Sequence, residues 1–289
     1  MKRTVIVFGL CGGLYACGAL VGANDFSFVD PTSDGGDGNE GGDAPGPLND
    51  GGDADAASDA PLDAPVDAAD AATTYCTNLI SWWRSENDTV DSKSTNNGAW
   101  LGTSVYAAGK NGQAFRVNTA GDNSGRIEVP TAASLNFGLT DNFSISVWVF
   151  AEEYDLRAVD KIGNGGSVGY LLDLFALGGL NRRPRFGVGD TAAAPLVELT
   201  ASAWHHLVGV YDGSASQLPK LYVDGVLVAT APAAPIAVPS SGLNLTFGDV
   251  AGGGAGRRGS IDEIAMFRQA LSASDVSKIF NAGGAALCP

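Results

Sequence analysis

Trp204-His-His-Leu-Val-Gly-Val-Tyr-Asp-Gly213 (WHHLVGVYDG) holds both histidines of the 289-residue chain. Paired histidines raise the question of a metal or a catalytic base. His206-Leu-Val-Gly-Val-Tyr211 reads as a strand that the pair opens, and successive side chains on a strand point to opposite faces. His205 and His206 therefore cannot ligate one ion together, and no cysteine is left to complete a zinc set. The pair reads as part of a sheet.

Working outward, Lys220–Ala229 reads as two strands joined at Asp224-Gly225, a dipeptide that favours two-residue hairpins. Phe143–Phe150, Tyr170–Leu177, Arg185–Val188, Leu243–Phe247 and Ser260–Phe267 are further short strands bounded by Gly, Asn, Asp and Pro. Such spacing without intervening helices predicts an all-β, antiparallel two-sheet sandwich. One short C-terminal helix of about two turns is expected. Ser272 and Asp275 begin it as a capping box, Val276, Ile279 and Phe280 form its buried stripe, and Gly283 ends it.

The N-terminal part has a different character. Residues 1–23 carry Lys2 and Arg3, then an apolar run too short to span a membrane, the pattern of a secretory signal. Leu14-Tyr15-Ala16-Cys17 resembles a bacterial lipobox, with Cys17 as the lipid-attachment residue and Gly18 consistent with outer-membrane sorting. The alternative is cleavage after Ala23 and release. Residues 24–73 form a linker that from Asp30 to Ala72 is mainly Asp, Gly, Ala and Pro, with eleven Asp and one Glu between Asp30 and Asp70 and no base. That composition cannot offset the entropy of ordering and predicts a disordered linker. The net charge of −15 argues against nucleic acid as a partner. In an exported protein Cys76 and Cys288, at the two ends of the folded region 74–289, are candidates for a disulfide. A pair of buried thiols is the alternative.

Taken in order, several stretches resemble the laminin-G-like branch of the concanavalin-A-like lectin/glucanase superfamily. They are Gly109-Lys-Asn-Gly-Gln-Ala-Phe115, Phe143-Ser-Ile-Ser-Val-Trp-Val149, Trp204–Gly213, Leu221-Tyr-Val-Asp-Gly225 and Gly259-Ser-Ile-Asp-Glu-Ile264. The resemblance implies a jelly roll of two curved sheets. It also implies a structural Ca²⁺, for which Asp262 and Asp91 are the candidate ligands. Asp262, Ile264 and Met266 are expected on one face, where an inward carboxylate needs a cation or donors.

Glycosidases of this fold place two carboxylates on one strand face. Glu152-Glu153-Tyr154-Asp155 offers no such pair, since Arg157 stands where the last acid would be. Asp262 and Glu263 alternate faces. No catalytic residue is assigned. Trp82 and Trp83 alternate, so one faces the core, and Asn181–Arg185 is a basic cluster at a turn. The expected function is non-catalytic binding of carbohydrate or a surface protein, at the cell surface or after secretion. The alternatives are an architectural domain without its own ligand and a glycoside hydrolase of the same fold.

Overall fold

Asp224 and Gly225 both have positive φ, 48° and 83°, as a two-residue hairpin that follows the twist of its strands requires. The computed structural model describes residues 75–288 apart from 120–124, 164, 178, 238–240, 252, 255–256 and 285–286. The signal segment 1–23 with Cys17, and the linker 24–73, lie outside the described residues.

In chain order the strands are β1 (Leu79–Trp83), β2 (Ala99–Leu101), β3 (Tyr106–Ala108), β4 (Gln113–Val117), β5 (Arg126–Val129), β6 (Asn142–Ala151), β7 (Arg157–Asp160) and β8 (Tyr170–Leu177). They continue as β9 (Leu180–Val188), β10 (Thr191–Ala193), β11 (Trp204–Asp212), β12 (Lys220–Val223), β13 (Val226–Thr230), β14 (Leu245–Phe247) and β15 (Gly259–Phe267). Helix α1 (Ala273–Ala282) follows. One sheet runs β13-β12-β11-β6-β15-β4-β3, with β1 also paired to β15; the other runs β10-β9-β8-β7-β14-β5-β2. Neighbouring strands pair antiparallel, giving the expected two-sheet sandwich.

The core follows from alternation. Ile145, Val147 and Val149 of β6 and Leu207 and Tyr211 of β11 meet Leu172, Leu174, Phe186 and Val188 of the opposite sheet. Gly209 of β11 faces Phe186 of the opposite sheet. A Cβ there would lie 2.2 Å from the Phe186 ring.

The outer face of the larger sheet is covered in part by α1, whose Val276 and Ile279 pack on Val208, Val210, Ala265 and Phe267. Ser272 and Asp275 form the expected capping box, and Gly283 closes the helix in the left-handed conformation. At ten residues the helix exceeds the two turns expected. This cover explains why Trp82 is buried as well as Trp83. Trp83 lies between the sheets, while Trp82 lies under the cover with the α1 residues.

Cys76 and Cys288 form a disulfide with Cα atoms 5.6 Å apart. No helix among the described residues is long and apolar enough to cross a membrane.

Candidate functional site

Antiparallel register decides which residues gather at each end of the sandwich. Gly259 of β15 pairs with Ala151 of β6 and Val117 of β4, while Trp204 of β11 pairs with Phe150. The other end of β15, Phe267, pairs with Leu79, three residues from Cys76. The strand is nine residues long, so the two ends are ~27 Å apart. The disulfide therefore marks one pole, and the ends of β4, β6, β11 and β15 meet at the other.

A cleft of about 600 Å³ opens at that second pole. Glu152, Glu153 and Tyr154, in the turn after β6, form one side; Asn181 and Arg182 of β9 and Arg257 and Arg258 before β15 form the rest, with Asn118 beneath. The turn is held by Asp155, whose φ is +57° and whose carboxylate accepts the Ala176 N–H at 2.8 Å. Glu152 is bracketed by Arg116 at 2.7 Å and Arg258 at 3.1 Å, and Arg258 also reaches Glu153 at 2.7 Å. Arg182 pairs with Glu198. Tyr154 is 45 % exposed, with the Arg257 guanidinium 5.2 Å from its ring centre.

Asn118 is buried at φ +54°, and its amide nitrogen donates to the Gly248 and Arg257 carbonyls at 2.7 and 3.1 Å. Those two acceptors fix the orientation of the amide and leave Oδ1 as an acceptor without a partner. A smaller groove of about 260 Å³ adjoins the cleft and shares Glu152; Phe150 and Trp204 line it with their rings 5.6 Å apart.

The sequence treats Glu152–Asp155 and Asn181–Arg185 as separate stretches. The structure brings Glu152, Glu153, Tyr154, Asn181 and Arg182 into one cleft. Arg183 turns elsewhere and donates to the Ala194 and Pro195 carbonyls, while Arg185 pairs with the buried Asp173. Sequence reading missed Asn118, Arg257 and Arg258, whose only signal is adjacency to Gly-rich turns.

The histidines occupy opposite faces, as alternation requires. His206 Nε2 lies 2.8 Å from Ser146 Oγ, beneath Trp148 and Phe280. Burial lowers its pKa to about 3, so it stays neutral. His205 Nδ1 meets Asp224 Oδ2 at 2.8 Å.

Both Ca²⁺ candidates are met by hydrogen-bond donors. Asp91 Oδ1 accepts the N–H groups of Trp82, Lys93 and Ser94, and Oδ2 accepts Ser94 Oγ and the Asn96 N–H. Burial raises the pKa of Asp91, but the Ser94 hydroxyl and these N–H donors outweigh it and hold the carboxyl below its usual range. Asp262 accepts the N–H groups of Glu263 at 2.8 Å and Asn111 at 3.0 Å. These donors supply the partners that an inward carboxylate needs. Among the described residues no group of three or more His, Cys, Asp or Glu could hold a metal.

The expected face-sharing of Asp262 with Ile264 and Met266 is also corrected. A bulge at Glu263, φ +50°, shifts the register between Asp262 and Ala265. Ile261, Ile264 and Met266 therefore point into the core. Asp262 and Glu263 no longer alternate in effect, since both bind Asn111.

Fold and sequence together define a two-sheet jelly-roll domain. A laminin G-like family model, described as the Concanavalin A-like lectin/glucanases superfamily, matches residues 120–277, more than half of the chain. The chain belongs to that superfamily. Its fold is similar to that of domain 4 of AbnA, a GH43 extracellular arabinanase from Geobacillus stearothermophilus, in complex with arabinotriose. That likeness has TM-score 0.53 and 20 % identity, covering 70 % of this chain and 98 % of the other. The binding domain of Paraclostridial mosquitocidal protein 1 is similar at TM-score 0.55 and 19 % identity, over 71 % of this chain and 52 % of that one. So is a chain of botulinum neurotoxin type C, whose cell entry depends on interaction with two ganglioside molecules, at TM-score 0.56 and 14 % identity, over 73 % and 52 %. The present chain thus spans about half the length of the two toxin chains. At these identities the likeness concerns the fold. No curated protein sequence matches.

Proposed function

We propose that this chain is the non-catalytic binding module of an exported protein and that it takes carbohydrate in the cleft at the pole opposite the disulfide. The observation that carries this reading is the exposed Tyr154 ring set among two glutamates, three arginines and two asparagines. Sugars present apolar ring faces and hydroxyls together, so an aromatic platform ringed by hydrogen-bonding groups suits them. Two of the similar folds belong to proteins described with arabinotriose and with gangliosides, which supports the same ligand class.

Catalysis is not part of the proposal. Both cleft glutamates are taken up in arginine ion pairs, whereas glycoside hydrolysis needs one carboxyl as acid and another as nucleophile or base. The N-terminal signal and the lipobox-like Cys17 support export and attachment to an outer membrane, with the acidic linker as spacer. Glycan-array binding of the full chain, followed by titration of the hits against Tyr154→Ala, tests the reading. Loss of binding at unchanged melting temperature is expected. Absence of any glycan hit, or hits indifferent to Tyr154, would remove it.

A further inference from the structure

We infer that the cleft and the adjoining groove work as one bipartite channel for an internal stretch of an uncharged polysaccharide. The inference rests on the carbohydrate reading above and adds the length and charge of the ligand. Glu152 lines both depressions, about 600 Å³ and about 260 Å³. Glu152 is thus the shared rim, held there by its 2.7 Å ion pair with Arg116 of the smaller groove.

Each side of that rim has its own aromatic surface. Tyr154 stands on one side, and the Phe150–Trp204 pair on the other. The two platforms line separate depressions that share only Glu152, so successive rings of a chain, rather than one ring, would occupy both. Tyr154 follows Phe150 by four residues, so the platforms are at most ~14 Å apart along the backbone. That bound keeps both platforms within reach of one short oligosaccharide. Both depressions are open rather than enclosed, which lets a chain run through.

Charge on the ligand is disfavoured by the pairing already present. Arg116, Arg258 and Arg182 are matched to Glu152, Glu153 and Glu198. An anionic sugar would have to break those pairs.

The test is calorimetric titration of the full chain with arabino-, xylo-, cello- and malto-oligosaccharides from one unit to six. Oligogalacturonate and heparin-derived fragments form a charged comparison set. Expected are affinity for a neutral series that rises at least tenfold from the single sugar to the tetrasaccharide and then levels off, and a loss of fivefold or more for the long oligomers with Tyr154→Ala. The second variant, Ala108→Arg, places a side chain into the smaller groove from the exposed end of β3 without touching the core. It should weaken long oligomers fivefold or more and leave disaccharide binding unchanged. Neutral sugars bound with no length dependence, or long oligomers indifferent to Ala108→Arg, would overturn the channel and leave the carbohydrate reading standing. Binding confined to the charged set would do the same. Failure of every series would overturn both.

Discussion

Asp262 and His206 stand on either side of Trp148, in register across β15, β6 and β11. Burial moves their pKa values in opposite directions. Asp262 is raised from 3.8 to about 7, first by burial and then by the Glu263 charge, and His206 is lowered from 6.5 to about 3 by burial.

The two shifts predict opposing pH dependences. The stability that protonated Asp262 contributes is complete below pH 3.8 and is lost as pH rises through 7. Neutral His206 contributes stability that is complete above pH 6.5 and is lost as pH falls toward 3. Each effect spans on the order of 4 kcal/mol, so between pH 4.5 and 6.5 they largely cancel. Burial raises Asp160 and Glu263 as well, so urea unfolding of the native chain should show stability falling gently as pH rises across that window. His206→Gln should gain stability on acidification, at about 1 kcal/mol per pH unit, and Asp262→Ser should lose it. A flat His206→Gln profile would show that Asp262 does not titrate as burial implies.

Closing 212 residues of sequence, the Cys76–Cys288 bridge restricts the unfolded chain by up to about 5 kcal/mol. Cys76→Ser with Cys288→Ser should lower the melting temperature by roughly 10 °C. Calorimetry with and without reductant checks it: the native chain should shift and the double variant should not.

Gly209→Ala should destabilise by about 1–3 kcal/mol, because its Cβ would meet the Phe186 ring at 2.2 Å across the two sheets. Denaturant midpoints give the value. Phe186→Leu in the same chain should recover part of the loss.

The carboxylate of Asp91 holds four backbone N–H groups and the Ser94 hydroxyl. Asp91→Ala should cost about 2–4 kcal/mol through the donors left unmatched. That cost should be the same with and without EDTA, and EDTA should leave the native melting temperature unchanged. A chelator-induced fall would show an ion at work despite the inward donors.

Local rules carried much of the architecture. Alternation marked β6, β8 and β11 to within a residue or two at each end, and Asp224-Gly225 marked the hairpin. The Ser272–Asp275 box and Gly283 marked the helix. These features depend on neighbours in the chain, so the amino-acid order determines them. The bulge at Glu263 is different, since one inserted residue reverses every face after it and nothing in Ile-Asp-Glu-Ile announces it. The same holds for the cleft. Glu152, Arg182 and Arg258 lie far apart in the chain and meet only because antiparallel pairing stacks the ends of distant strands at one pole. Whether Asp91 faces a cation or a ring of N–H groups was likewise decided by how the loop after β1 closes on itself. Periodicity determined which residues form strands, whereas the long-range pairing of those strands decided which side chains share a site.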